Sequence, residues 1–158
     1  MERLLLFAIP LAFIPNLALA DTQTLTFSGS TSSFCNITVV GAGTLTQSSD
    51  GTSLGTSNTG GSAASFSAST NSSSAVLDLD DAVTTTSSPS GSSFTTAQNI
   101  NVLNPSGASL YSGDGSTGAS ATLVAGTNTG TVGLTVTASS GTLPSGSYAF
   151  SKTVTCTP

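Results

Sequence analysis

The sequence predicts an all-β protein folded as an antiparallel β-sandwich. Apolar side chains alternate with polar ones in short runs, and a period of two is typical of strands with one buried face. Each run ends at glycine, proline, asparagine or aspartate, which are the residues that turns require. Threonine and valine fill many of the alternating positions and suit a pleated sheet. Many short strands at this spacing favour a sandwich, with a closed barrel as the alternative.

The predicted strands follow one another along the chain after residue 20. The alternating runs lie at residues 25–27, 34–39, 64–68, 76–79, 100–102, 110–111, 121–123, 132–136 and 148–154. Segment 51–61 has almost no apolar residue and is predicted to be a long loop or a ragged edge. Segments 57–62 and 84–93, rich in Ser and in Gly or Thr, are predicted to be loops, because they cannot bury enough apolar surface to offset the entropy of ordering.

Residues 1–20 have the pattern of a secretory signal peptide. Arg3 precedes a nearly continuous apolar run over residues 4–13, and Ala18-Leu19-Ala20 is a typical cleavage site. A transmembrane helix needs ~20 apolar residues, and Pro10 interrupts a run that is already too short. We therefore expect a protein exported to the periplasm, the cell surface or the extracellular space, without membrane insertion after signal removal. Residues 21–158 are enough for a single β-sandwich domain.

Charge excludes nucleic acid as a partner. The chain has a net charge of -5 at pH 7, and Lys152 is its only cation beyond the predicted signal peptide. Binding to phosphates or to anionic membranes needs clustered lysine and arginine. We interpret Lys152 as a solvent-facing charge on the last strand that discourages pairing between edge strands.

The sequence predicts no enzyme and no catalytic residue. It contains no histidine, so the Ser-His-Asp and Cys-His arrangements are impossible and the usual general base near neutral pH is absent. Asp78, Asp80 and Asp81 form the one acidic cluster, which we interpret as a solvated edge. A calcium site at these three residues is the alternative, although their spacing matches no calcium loop. No other metal and no cofactor are expected.

The only two cysteines, Cys35 and Cys156, stand near the two ends of the predicted domain. We predict a structural disulfide between them, since export leads to an oxidising compartment. An intermolecular pair is the alternative.

Three segments together resemble the bacterial chaperone-usher pilins, a family of incomplete immunoglobulin-like subunits. Phe27-Ser28-Gly29 followed by Cys35 is similar to the F-x-G and cysteine at the start of that fold. Residues 100–103 followed by 107–110 resemble its mid-domain strand, turn with glycine, and strand. Gly146-Ser147-Tyr148 is similar to the G-x-Y that precedes its last strand.

The resemblance implies an immunoglobulin-like, pilin-like sandwich that serves as a structural or adhesive subunit of a surface fibre. The missing strand would be donated by a copy of the protein or by another fibre subunit through β-augmentation, and a periplasmic chaperone is an implied partner. The family-like positions are Phe27, Gly29, Gly107, Gly146 and Tyr148. The family pairs its first cysteine with one a few tens of residues later, whereas here the only partner is Cys156.

The cysteine spacing limits where a donated strand can lie. A disulfide needs Cα atoms within ~7 Å, whereas a strand and its second neighbour are about 9.6 Å apart. No donated strand can therefore lie between Cys35 and Cys156 at the level of the bond. Either the first and last strands are adjacent there, or the bond lies beyond the end of any groove.

A self-complete extracellular binding module for a glycan or a protein partner is the alternative function. Surface aromatic rings usually carry glycan stacking. The chain has no tryptophan and only two tyrosines, Tyr111 and Tyr148, which disfavours a glycan ligand.

Overall fold

The structure is a computed structural model that describes residues 23–115 and 117–158. The chain divides into two units, Met1–Thr31 and Ser32–Pro158. Within the first unit, residues 23–31 are described; they form no strand and are exposed. The predicted signal peptide lies outside the described residues.

The described part of the second unit contains twelve β-strands and no helix. Their bounds are β1 Cys35–Gly41, β2 Thr46–Gln47, β3 Ser53–Gly55, β4 Ala64–Thr70, β5 Val76–Asp78, β6 Thr84–Ser87, β7 Phe94–Leu103, β8 Ser109–Gly113, β9 Ser120–Thr122, β10 Gly126–Ala138, β11 Ala149–Ser151 and β12 Thr155–Thr157. The part of the chain that is described holds no helix with the length and apolarity of a membrane span.

One sheet of seven strands is built around the long strand β10. Its strand order is β1-β4-β10-β3-β2, and β7 followed by β8 lies on the other side of β10. The first half of β10 pairs with β4, the second half pairs with β3, and β7 pairs along residues 129–138. All these pairs are antiparallel.

Two smaller antiparallel sheets have the strand orders β12-β5-β9 and β11-β6. The same two stretches of chain form both sheets. β5 is followed directly by β6, and β11 is followed directly by β12. Residues 79–83 and 152–154 interrupt what would otherwise be one long strand pair. The arrangement of three antiparallel sheets without a helix agrees with the predicted sandwich. Among the described residues, β1 and β12 are edge strands, each paired with a neighbour on one side only. The described sheets therefore do not close into a barrel.

The core consists of the apolar residues that the period of two places on inner faces. Phe66 and Ala68 come from β4, and Ile100 and Val102 come from β7. They pack against the remaining buried members of the same cluster, which are Ala75, Leu77, Leu79, Ala119, Ala121 and Leu123. Removing such side chains from water is the main favourable term in folding.

The first predicted strand, at residues 25–27, is absent. Residues 23–34 form no strand, and the side chains of Leu25 and Phe27 are 80% and 92% exposed. The fold instead begins with β1 at Cys35, within the second predicted run. Apolar and polar residues do alternate at residues 25–27, but no described strand pairs with this segment.

Two predicted loops contain strands. Segment 51–61 includes β3, which pairs with β10 and β2, and segment 84–93 includes β6, which pairs with β11. All four residues of β6 are exposed, so no buried alternation marks this strand in the sequence. The predicted last strand, at residues 148–154, contains only β11, and β12 follows the predicted run.

Candidate functional site

An apolar groove of about 790 Å³ opens beside β1 in the second unit. One wall is β1 with the residues that follow it, the floor is β4 and β10, and the other wall is the stretch from Tyr148 to Val154. We call it the β1 groove. Its apolar lining comprises Ile37, Val39, Ala42, Leu45, Ala64, Phe66, Val83, Val132, Leu134, Tyr148, Ala149, Phe150 and Val154.

The alternation along β1 shows that the groove is an uncovered part of the interior. Ile37 pairs with Ala68 and Val39 pairs with Phe66, and paired residues project from the same face of a sheet. Ala68 and Phe66 belong to the buried core, and Ile37 is half-buried. Val39 lies on this inner face as well, yet its side chain is 75% exposed. Where Val39 stands, the opposite layer does not cover the sheet.

Two strand edges without a partner border the groove. Among the described residues, β1 pairs only with β4 and β11 pairs only with β6. Beyond the groove, β12 likewise pairs only with β5. The outer edge of each therefore presents backbone N–H and C=O groups that no described strand satisfies. Such edges are templates for an added strand.

The predicted disulfide is present and lies at one end of the groove. Cys35 at the start of β1 is bonded to Cys156 in β12, and their Cα atoms are 5.9 Å apart. Ile37 and Val154, each two residues from a cysteine, line the groove, whereas the cysteines do not. Both predicted arrangements therefore hold: β1 and β12 lie next to each other at the bond, and the bond lies beyond the end of the groove.

Lys152 lies on the groove wall, between β11 and β12. Its Nζ donates hydrogen bonds to the carbonyl oxygen of Leu79, at 2.7 Å, and to that of Asp81. Burial lowers the pKa of Lys152, against the opposing effect of the carboxylates of Asp81, Asp80 and Asp78. The interpretation of Lys152 as a solvent-facing charge on a strand is wrong. Its ammonium group instead satisfies carbonyls at the break between β5 and β6.

The acidic cluster is used for local hydrogen bonds. Asp78 Oδ1 accepts the N–H of Asp80 at 3.1 Å, and Asp80 Oδ2 accepts the N–H of Gly118 at 3.1 Å. The N–H of Gly118, followed by Asp78 and Lys152, lowers the pKa of Asp80. Within the described ranges, no three side chains of the metal-binding types converge to hold an ion. The calcium alternative at Asp78, Asp80 and Asp81 therefore has no structural support.

The family-like positions fall in three places, namely the exposed segment before β1, the turn between β7 and β8, and the residues just before β11. Phe27 and Gly29 lie in the exposed segment before the fold, and no atom comes within 4 Å of a Cβ built on Gly29. Gly107 and Gly146 have positive φ angles of 85° and 144°, which explains the glycines at these turns.

Tyr148 is the family-like position that belongs to the groove. Its hydroxyl donates to the carbonyl oxygen of Pro144 at 2.9 Å. Its ring meets that of Phe94 edge to face, with centroids 6.0 Å apart. The hydrogen bond reaches back to backbone just upstream of the tyrosine and holds the wall of the groove in place.

The sequence interpretation missed the groove residues Val39 and Phe150 as candidates. A signal for Val39 exists, because two valines in succession, Val39-Val40, break the alternation before Gly41. The structure places a bulge at this position, and Val40 is 68% exposed.

No protein-family model matches the chain, and searches of curated proteins and of solved structures found no match. The function is therefore inferred from the groove and from the exposed segment before the fold.

Proposed function

We propose that the protein is an exported, pilin-like subunit of a surface fibre, in which each copy accepts a strand from its neighbour. The observation that carries the proposal is the β1 groove, an apolar interior bordered by β1 and β11, whose outer edges pair with no described strand. The donor is the segment at residues 23–29 of the next copy, which carries exposed Leu25 and Phe27 at alternate positions. A strand inserted in this way supplies backbone partners for the edges and apolar side chains for the groove.

An immunoglobulin-like sandwich fits this role. In that fold a tyrosine near the start of a late strand bonds back to backbone a few residues upstream. The bond from Tyr148, just before β11, to Pro144 is similar. The free outer edges of β1 and β11–β12 lie where one further strand would complete the sandwich.

The energetic case rests on burial. Full burial of the Leu25 side chain and of the Phe27 side chain would each stabilise the assembled state by ~1.5–3 kcal/mol. Added backbone hydrogen bonds contribute further, while the loss of translational and rotational freedom opposes association.

The same groove would need a cover before assembly, which is the role we assign to a periplasmic chaperone. Export itself follows from the sequence pattern of residues 1–20, and the disulfide fits an oxidising compartment.

Two complementary variants test the proposal on the chain that begins after residue 20. Leu25→Ser/Phe27→Ser removes the donor, with Thr24→Ser/Thr26→Ser as the matched control. Val39→Asp places a charge in the groove, and Val124→Asp, which also replaces a partly exposed valine, is its control because Val124 lies outside the groove. Molar mass is measured by light scattering over a range of concentrations.

We expect the unaltered chain and both controls to form oligomers that grow with concentration. Each test variant alone should lose this growth, since one lacks a donor and the other lacks a usable groove. An equimolar mixture of the two should form a heterodimer, because one variant keeps its groove and the other keeps its donor. A monomer at every concentration would contradict the proposal and favour the self-complete binding module. So would protection of Phe27 within a monomer, which would show the segment folded onto its own chain.

A further inference from the structure

We propose that the Cys35–Cys156 bridge is a stop that fixes the direction and register of the donated strand. The N-terminal end of the donor segment of a second copy would abut the bridge, and the donor would run parallel to β1. This inference rests on the proposed function and adds to it how the partner is held.

The width of the groove decides where the donor ends. A strand lying between β1 and β12 would hold them about 9.6 Å apart, which is twice the spacing of neighbouring strands. The bridge holds the Cα atoms of Cys35 and Cys156 at 5.9 Å. The donor therefore cannot pass the bridge. The opposite end, lined by Gly41, Ala42 and Gly43, has no disulfide across it, since the one disulfide of the chain is at the other end.

The connectivity of the donor decides its direction. On its C-terminal side the segment at residues 23–31 continues at once into the second unit, which begins at Ser32. That end needs an open exit from the groove. The N-terminal end is thus the one that faces the bridge. Since β1 runs away from Cys35, the donor runs in the same direction as β1 and opposite to the stretch from Ala149 to Cys156.

Length and alternation agree with this register. From Ile37 to Gly43 the wall spans roughly 20 Å at ~3.3 Å per residue, and residues 23–29 span the same length. The donor face that carries Leu25 and Phe27 then lies along the stretch of β1 where Val39 is 75% exposed. Gly29, on the same face, comes to the open end, where the chain leaves the groove.

Extended peptides test the stop on the disulfide-bonded chain. The acceptor is the full chain from residue 21 with Leu25→Ser/Phe27→Ser, which cannot supply its own donor. The probes are a fluorescent peptide of residues 23–29 and two versions that carry four prolines at the N-terminal or the C-terminal end. Proline runs are stiff and extended, so they cannot fold away from an obstacle. Binding is measured by fluorescence anisotropy.

We expect the N-terminal extension to raise the Kd at least about tenfold, and the C-terminal extension to leave it within about twofold. Equal Kd values for the two extended peptides, or a penalty only at the C-terminal end, would overturn the stop while the proposed function stands. Failure of the unextended peptide to bind would overturn both.

A second measurement asks whether the bridge itself is the obstacle. The acceptor is repeated with Cys35→Ser/Cys156→Ser, and its β structure is checked by circular dichroism. We expect the penalty of the N-terminal extension to shrink in this acceptor. An unchanged penalty in a folded acceptor would show that something other than the bridge closes the groove. If the variant does not fold, the comparison of the two extended peptides on the disulfide-bonded chain still tests whether the donor is stopped at its N-terminal end.

Discussion

Gly130 shows how one missing side chain organises the inner face of the large sheet. It lies in β10 directly opposite Phe66 of β4, whose ring covers it. A Cβ built on Gly130 would lie 2.1 Å from Cζ of Phe66. Glycine at this position therefore leaves room for the aromatic ring over the neighbouring strand, where it forms part of the groove floor.

Gly130→Ala should lower the free energy of unfolding by about 1–3 kcal/mol, because the added methyl forces the Phe66 ring out of its place. Urea unfolding followed by circular dichroism measures the change. Thr129→Ala, on the outer face of the same strand, is the control and should be close to neutral. Equal stability of the two variants would contradict the prediction.

Asp50 organises the turn between β2 and β3. Its Oδ1 accepts hydrogen bonds from the hydroxyl of Ser48 at 2.6 Å and from the N–H and hydroxyl of Thr52 at 3.1 and 2.8 Å. The Ser48 hydroxyl, followed by Thr52, lowers the pKa of Asp50 from 3.8 to about 2. A pKa that is lower in the folded state means that the stabilisation is complete above the unfolded value and is lost as pH falls through the folded one.

Asp50→Asn should therefore be less stable than the unaltered protein at pH 7, with the difference disappearing as the pH falls from about 4 to about 2. Unfolding in urea at several pH values measures it. Ser49→Ala, an exposed neighbour, should keep the pH dependence of the unaltered protein. A difference that stays constant down to about pH 2 would show that the hydrogen bonds do not depend on the charge of Asp50.

At the scale of elements, the break between β5 and β6 depends on Lys152. A strand pair that is interrupted leaves backbone carbonyls without ladder partners, and a buried unsatisfied carbonyl is costly. The ammonium of Lys152 accounts for two of them, those of Leu79 and Asp81. The break thus has a defined structure rather than a frayed one.

Lys152→Met should lower the free energy of unfolding by about 1–3 kcal/mol, because it keeps the apolar stem and leaves the carbonyl of Leu79, a buried residue, without its donor. Thermal and urea unfolding measure the loss in the chain that carries Leu25→Ser/Phe27→Ser, which we call the donor-silent chain, so that assembly does not interfere. Lys152→Arg, which restores donors, should recover part of it. If Lys152→Met were as stable as the parent, the hydrogen bonds would contribute nothing to holding the break together.

The strands that the sequence predicted well are those with a buried face. In β4 the predicted run at residues 64–68 covers most of the strand, whereas the runs at residues 100–102 and 132–136 mark only a part of β7 and of β10. By contrast, β6 is exposed at all four positions and forms because β11 supplies its partner. Pairing with a distant strand leaves no local pattern, so such short strands cannot be predicted from their own residues.

The opposite error, at residues 25–27, has the same physical origin. Alternation of apolar and polar residues indicates that a segment can form a strand, but it does not indicate which strand the segment will pair with. Leu25 and Phe27 alternate with threonine as a strand would, and both are exposed. The residues that line the groove could not be predicted for a related reason, since the groove lies beside edges of β1 and β11 that no described strand pairs with. Only the disulfide at its end, Cys35–Cys156, was predicted by residue number and confirmed.

At the scale of the whole molecule, the disulfide connects two different sheets. β1 is an edge of the large sheet and β12 is an edge of a small one. The cysteines are 121 residues apart in sequence, so the bond constrains nearly the whole domain in the unfolded state. In the chain-entropy model a loop of this length is worth up to about 5 kcal/mol.

Reduction should therefore lower the free energy of unfolding of the donor-silent chain by up to about 5 kcal/mol. Urea unfolding with and without dithiothreitol measures the effect. Cys35→Ser/Cys156→Ser is the control and should not respond to the reductant. Identical midpoints for the oxidised and reduced protein would show that the bond adds nothing to stability.

The position of Lys152 has a consequence for proteolysis. Trypsin-like proteases cut after lysine or arginine, and beyond the predicted signal peptide the chain offers them Lys152 alone. The Lys152 side chain that such a protease must draw into its specificity pocket is already bonded to the carbonyls of Leu79 and Asp81. A cut there would separate Thr153 and the residues after it from the rest of the domain, but Cys156 would keep them attached to Cys35. Digestion by trypsin would thus leave every residue of the domain covalently connected.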